Sequence, residues 1–412
     1  MPRYRDVFRV PEFTPLFLSG AALAAAQTVA GLGLATLVFR ATGSPLLSAL
    51  AMFGPALAQL VGATTLLAAA DRLPPRAALT AVALVFAAGT AAQTLPGLPV
   101  AATFGILLLQ GLAGSVGGGV RGGLLNEILP RDGYLLGRSV FNMSVGVCQI
   151  AGFAAGGLLL ALLSTRGTLL TGAALYLVAA LLARGGLSAR APRATGRPSP
   201  AETWRTNARL WSSPERRRVY LALWVPNGLV VGCESLFVPY DPEHAGLLFV
   251  CAAAGMLAGD TAVGRFLPVR WRGRLAAPLQ ALLAAPYLLF FLRPWLPLAA
   301  VAVTVSAVGY AASLLYQERL MELVPDELSG HALGLHTSGM LALQGLSAAL
   351  AGGLAQLTST ATAMTLLALA SLAVTLALVA GAPRPKAPRP RPAPGRTNAD
   401  RTNADRTNAG PA

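Results

Sequence analysis

About twelve long, nearly uncharged runs follow one another along this chain, separated by short polar turns: 14–39, 45–70, 77–94, 100–127, 138–163, 167–183, 219–240, 245–264, 274–292, 295–317, 331–356 and 361–381. A run of roughly 17–25 apolar residues can cross a ~30 Å hydrocarbon layer as a helix. No water inside that layer can satisfy a free backbone N–H or C=O, so helices are the expected form of such segments. Composition agrees, because only 12% of the 412 residues are charged, against about 25% in an ordinary soluble domain. The 44 glycines suit helices that associate in lipid by close van der Waals contact.

The runs are not independent of one another. Glu127-Ile-Leu-Pro130 ends the fourth, a polar turn follows, and the fifth carries Gln149 and then Gly156-Gly157. Glu322-Leu-Val-Pro325 ends the tenth, a polar turn follows, and the eleventh carries Gln344 and then Gly352-Gly353. The Glu, Pro and Gln positions are each 195 residues apart, and the glycine pair fits with a slip of one when Gly156 is matched to Gly352. That period is far beyond the ~20–50 residues of a solenoid repeat. Two similar halves related about the membrane normal, as in parallel-repeat secondary transporters, are the economical reading. The expected fold class is therefore an all-α integral membrane protein of about 12 transmembrane helices in two six-helix halves. Residues 1–183 form the first half, 184–218 a basic cytoplasmic linker and 219–381 the second half. Residues 382–412, rich in Pro and Arg and then repeating Arg-Thr-Asn-Ala-Asp, have no apolar content from which to build a core and read as a disordered cytoplasmic tail.

Basic residues set the orientation. With both termini cytoplasmic, the outer loops hold only Arg40, Arg166 and Arg293 of the 32 Lys and Arg residues, the asymmetry of the positive-inside rule. The net charge of +15 then reports topology and contact with anionic lipid rather than nucleic acid. A multi-pass protein of the cell membrane is expected. The arm Met1–Pro11 does not read as a cleavable signal, since the apolar run after it is too long and further spans follow. Cys148, Cys233 and Cys251 all fall inside spans without C-x-x-C spacing, so they read as small packing residues.

The second run ends in Ala70-Asp71-Arg72-Leu-Pro-Pro-Arg76. Arginines flank any loop on the basic side, but Asp71 is an acid where topology favours bases. Its order resembles the loop 2–3 motif of the major facilitator superfamily, G-x-x-x-D-R/K-x-G-R/K-R/K, with Leu67 at the leading glycine and Pro74 and Pro75 at the inner glycine and the next basic position. The resemblance implies that Asp71, Arg72 and Arg76 latch the halves on the cytoplasmic face. Asp260 and Arg265, in the loop expected after the eighth run, are the weaker counterpart. Glu127, with Arg121 or Arg76 as expected partner, joins this charged gate. Gln110-Gly111 is similar to the R-x-x-Q-G of the superfamily's drug antiporters, with Leu107 in place of the arginine. Gly152-Phe-Ala-Ala-Gly156-Gly157 resembles the antiporter motif G-P-x-x-G-G, with Phe153 in place of the proline. Bare backbone at this spacing also serves ordinary G-x-x-x-G packing, and the eleventh span is the expected neighbour. The resemblance covers about residues 12–381 and favours export over import.

Four polar residues fall on the spans that line the central cavity in this superfamily, so the resemblance makes Gln27, Gln110, Asn227 and Tyr310 substrate candidates. Gln27 equally suits a hydrogen bond to a neighbouring helix. Ser306, Tyr310, Ser313 and Tyr316 recur at helical spacing and are expected to form one stripe. Glu234 lies inside the seventh run, and an intramembrane carboxylate is a functional hypothesis by default, here as the proton-coupling group. Pro239, Asp241 and Glu243 place the outer surface close by, which leaves a partly wetted gate residue as the other reading. His331 and His336 read as surface histidines, and a membrane-surface helix is expected around 201–210. No nucleophile–base set, metal-ligand cluster or phosphate loop is present, so neither an enzyme nor a cofactor or metal is expected. The expected function is a monomeric, proton-coupled exporter of a small amphipathic or hydrophobic compound. A non-transporting receptor or scaffold on the same fold, or an uptake symporter, is the alternative. In a background lacking the three native cysteines, Gly97→Cys and Arg166→Cys should react with an impermeant label on intact cells, whereas Thr195→Cys and Gly395→Cys should not. Labelling at Thr195→Cys would reverse the orientation.

Overall fold

The computed structural model describes residues 7–65, 73–129, 131–192, 200–325 and 328–381. In the first half, helices run over α1 Phe13–Thr42, α2 Pro45–Thr65, α3 Pro75–Ala92, α4 Val100–Ile128, α5 Arg131–Leu162 and α6 Thr165–Gly186. A linker helix, Pro200–Trp211, precedes α7 Pro214–Glu234 and its short continuation Phe237–Tyr240. The second half continues with α8 Ala245–Phe266, α9 Arg270–Leu292, α10 Leu296–Leu323, α11 Ser329–Leu357 and α12 Thr360–Ala380. Among the described residues eleven helices are long and apolar enough to span a membrane, and α5 contributes the shorter apolar stretch Val147–Leu162. This is an all-helical protein of about twelve transmembrane helices, as the apolar runs predict. The tail 382–412 lies outside the described residues.

Local chemistry fixes the helix ends. Gly43 terminates α1 at φ 64°, its N–H donating to the Phe39 carbonyl at 2.8 Å, a left-handed cap that glycine adopts without strain. Ser164 caps α6 and Ser359 caps α12, each hydroxyl accepting an N–H from three residues on. Inside the spans, Thr28, Thr36 and Thr375 fold back onto carbonyls four residues earlier, which satisfies them without a partner helix. Pro226 cannot donate to Ala222, and Gln280 of α9 fills the vacancy by donating to that carbonyl. Around the perimeter, Leu181, Leu292 and Leu357 are 71%, 75% and 83% exposed. Such a coat of bare leucine is a liability in water and the normal surface in lipid.

Helices α1–α6 pack as one bundle and α7–α12 as another, and the two meet along α5–α8 and α2–α11. A Cβ added at Gly157 of α5 would lie 2.7 Å from the Gly246 Cα of α8, and one added at Gly352 of α11 would lie 2.5 Å from the Leu46 Cα of α2. The expected partner of the α5 glycines therefore changes: α5 faces α8 rather than the eleventh span, which instead pairs with α2. The register changes too. Gly157 and Gly352 make equivalent contacts 195 residues apart, so no slip is needed. Gly152 and Gly156 face Thr28 and Val29 of α1 inside the first half.

Both close contacts lie toward the face opposite the linker, where Gln356 of α11 also donates to Ser44 ahead of α2. On that side one apolar cluster draws Leu32 and Ala35 of α1 together with Phe237, Phe249 and Met364 of the second half. On the linker side, among the described residues, the first-half cluster around Phe13, Leu124 and Phe141 and the second-half cluster around Tyr220, Trp224 and Leu320 share no member. Among the described residues the halves thus share a cluster at one end and pack separately at the other. Asp260 and Arg265, read as a loop motif, both lie within the helical span α8, Asp260 inside the apolar run 245–264 and Arg265 just past its end, and Gly259 packs there against the Val308 carbonyl of α10. Gly352→Leu should weaken the closed face by roughly 1–3 kcal/mol, the usual cost of overpacking. A reporter cysteine at Ser44 should then react faster than in the parent, while Gly353→Ala, which meets no atom within 4 Å, should leave the rate unchanged.

Candidate functional site

Six glutamines converge on one cavity of about 180 Å³. Gln27 comes from α1, Gln59 from α2, Gln93 from the end of α3, Gln110 from α4, Gln149 from α5 and Gln344 from α11. Each amide carries both a carbonyl acceptor and an N–H₂ donor. No Asp, Glu, Lys, Arg or His lines the space among the described residues. Gln110 is held in place, its Nε2 donating to the Phe86 carbonyl at 3.1 Å and the Thr90 hydroxyl at 3.2 Å. Gln93 is 3% exposed, and its Nε2 has no hydrogen-bond partner among the described residues. Phe86, Tyr176 and Phe153 supply aromatic walls. Phe153 also stacks on Phe249 of α8, with ring centroids 4.8 Å apart and planes at 6°, so the residue standing at the motif's proline joins the two halves.

The four substrate candidates divide between the halves. Gln27 and Gln110 line the cavity, whereas Asn227 and Tyr310 are buried in the second half. Tyr310 donates its hydroxyl to Glu234 Oε1 at 3.0 Å. Gly309–Ala311, a tighter turn interrupting α10, presents Tyr310 to α7, and one turn earlier Ser306 donates to the Leu283 carbonyl of α9. Ser306 and Tyr310 of the α10 stripe thus serve neighbouring helices. Glu234 is the one buried carboxylate among the described residues. Asn227 is buried two turns earlier on α7, and its Oδ1 has no hydrogen-bond partner among the described residues.

At the linker face Arg190 bridges Glu12 at 3.1 Å and Glu127 at 3.4 Å, and Ser188 donates to Glu12. Glu127 therefore has a partner in the linker, beyond the Arg121 or Arg76 expected for it. Asp71 and Arg72 lie outside the described residues, and Arg76 sits in the first turn of α3. Arg265 lies over the Phe266 ring, 6.0 Å from its centroid. His336, expected at the surface, is buried, because α11 turns it toward α7, where Trp224 donates to its Nδ1 at 3.3 Å and its carbonyl at 3.1 Å. Sequence reasoning did not assign Gln59 or Gln93, and it noticed Gln149 and Gln344 as repeat markers without a role. An amide in an otherwise uncharged span is the signal that marks all four.

A helical bundle of this topology around a central polar cavity defines a membrane transporter fold, and comparison with known proteins agrees. The sequence model of the Major Facilitator Superfamily matches residues 16–240, and the chain belongs to that family. Among solved structures, a POT family transporter in complex with a thioalcohol-conjugated peptide superposes with TM-score 0.67 at 13% identity, covering 89% of this chain and 95% of the other. The same transporter family in complex with 5-aminolevulinic acid gives TM-score 0.68 at 12% identity, covering 89% and 95%. A bacterial homolog of the human lysosomal transporter Spinster, inward-facing and unoccupied, gives 0.67 at 13%, covering 92% and 96%. No curated protein sequence matches the chain. At these identities the structural likeness is one of fold.

Removing the donor from a buried carboxylate costs about 1–3 kcal/mol. Tyr310→Phe should therefore lower the unfolding midpoint of the purified protein, and the same change should cost less in a Glu234→Leu background. Equal losses in both backgrounds would show that the Tyr310–Glu234 hydrogen bond contributes nothing.

Proposed function

We propose that this chain is a proton-coupled secondary transporter that exports a small amphipathic compound, and that Glu234 carries the coupling proton. The observation that supports this most is a single buried carboxylate in α7 whose hydrogen-bond donor, Tyr310, comes from α10. A carboxylate held inside a bundle in lipid is costly to maintain and is the natural place for proton uptake and release. Tyr310 is an apt partner because its hydroxyl donates to the carboxylate and can turn to accept from the carboxylic acid.

The substrate in this reading occupies the glutamine-lined cavity, and Gln27 and Gln110 are among its contacts. Amides beside aromatic walls suit an amphipathic compound better than a purely hydrophobic one, since unpaired buried amides are unfavourable. Asp71, Arg72 and Arg76, with Glu127, Asp260 and Arg265, act as the gate on the linker face, and Arg190 tethers that face to the linker. Export is the direction favoured by the glycine motif of α5, whose Gly157 meets the backbone of Gly246 on α8. The chain works as a monomer in the cell membrane with both termini cytoplasmic.

Glu234→Gln keeps the shape and hydrogen bonding of the acid while fixing it neutral. In proteoliposomes this variant should lose accumulation driven by an imposed pH gradient while retaining substrate exchange. A ratio of gradient-driven to exchange flux equal to that of the parent protein would remove Glu234 from coupling.

A further inference from the structure

We propose that the glutamine-lined cavity selects an uncharged, single-ring molecule carrying an amide-type donor and acceptor side by side. The inference deepens the reading of this cavity as the substrate site and rests on it. Three features of the cavity define the ligand, namely its charge, its hydrogen-bonding groups and its size.

Charge comes first. Among the described residues the wall holds six amides and no ionisable Asp, Glu, Lys, Arg or His. An ion moved there would lose its hydration and gain no counter-charge, which is among the most expensive transfers in protein chemistry. A hydrocarbon fails for the opposite reason, because each amide it covers is left without a partner. A neutral molecule that both donates and accepts matches a wall of groups that do the same.

Gln93 sharpens the requirement. Its Nε2 is buried at the wall with no partner among the described residues, a donor that a small rotation of the side chain offers to an acceptor on the ligand. The neighbouring amide of Gln110 is already fixed by Phe86 and Thr90, and a group held in position before binding loses little freedom on binding. Size follows from volume. An engineered protein cavity of roughly 150 Å³ accepts benzene, and about 180 Å³ accommodates one ring with a small substituent. Phe86, Phe153 and Tyr176 offer ring faces and edges for it. Gln149 and Gln344, the repeat-related pair, reach this cavity from α5 and α11, so a ligand bridging them contacts both halves and senses their relative movement.

The test uses the full chain in nanodiscs and three probes of nearly one shape: benzamide, benzoate and toluene. Calorimetric titration should show benzamide binding at least about tenfold more tightly than either of the others. Gln93→Leu should reduce benzamide affinity by about tenfold and strengthen toluene, a reversal that a merely structural Gln93 would not produce. Benzoate or toluene binding as tightly as benzamide to the parent protein, or no binding of benzamide at all, would overturn the proposal whether or not the variant folds. Counterflow of radiolabelled benzamide in proteoliposomes separates the two readings. The expected ranking without counterflow would retain the ligand class and remove transport. Transport of other compounds by a protein that does not bind benzamide would retain transport and remove the ligand class.

Discussion

The architecture depends on how closely two backbones can approach. Lipid tails are as apolar as leucine, so helices in a bilayer gain little from hiding apolar side chains and associate by contact alone. The halves of this protein use that rule twice, at Gly157 against Gly246 and at Gly352 against Leu46. The two contacts are related by the internal repeat and lie toward one face. A methyl group at either glycine would collide with main chain rather than with a side chain that can turn away. Where this approach is made the halves share an apolar cluster, and at the linker end the clusters stay separate. Two bundles that meet through such contacts can part there with each half kept whole.

Polarity is divided between the halves. The amide-lined cavity, uncharged among the described residues, is built mostly by the first half, and the second holds a carboxylate closed in by Tyr310. In the proposed mechanism a proton gained or lost at Glu234 alters α7, which packs against α11, and α11 carries Gln344 into the cavity wall. The stacked pair Phe153 and Phe249 supplies a second link across the interface. Substrate and proton then bias one movement from separate positions, which is all that coupling requires thermodynamically.

The helices were legible in the sequence because the bilayer imposes a length, and the two halves because Glu127, Pro130 and Gln149 return 195 residues later as Glu322, Pro325 and Gln344. Register at the glycines was not legible. Gly156-Gly157 and Gly352-Gly353 are identical pairs, and which member touches the other half depends on helix rotation. The depth of Glu234 was readable from its place in a span, but not its hydroxyl donor, 76 residues on and on another helix. The cavity was half legible: Gln27 and Gln110 could be chosen, while Gln59 and Gln93 showed no pattern, since a mid-span amide serves a neighbouring helix equally well. The end of α8 shows the same limit: the apolar run stops at 264, while the helix continues through Arg265 to Phe266.

The central proposal is that the two halves, closed on each other at the repeated glycine contacts, part there as the linker face closes. Paired spin labels in lipid nanodiscs test it directly, with Arg166→Cys and Arg293→Cys on the face opposite the linker and Gly185→Cys and Glu322→Cys on the linker face. On moving the sample from acidic to alkaline buffer, both pairs should show two distance populations whose weights shift in opposite directions. A single unchanged distance at each face, or both pairs lengthening together, would contradict the account.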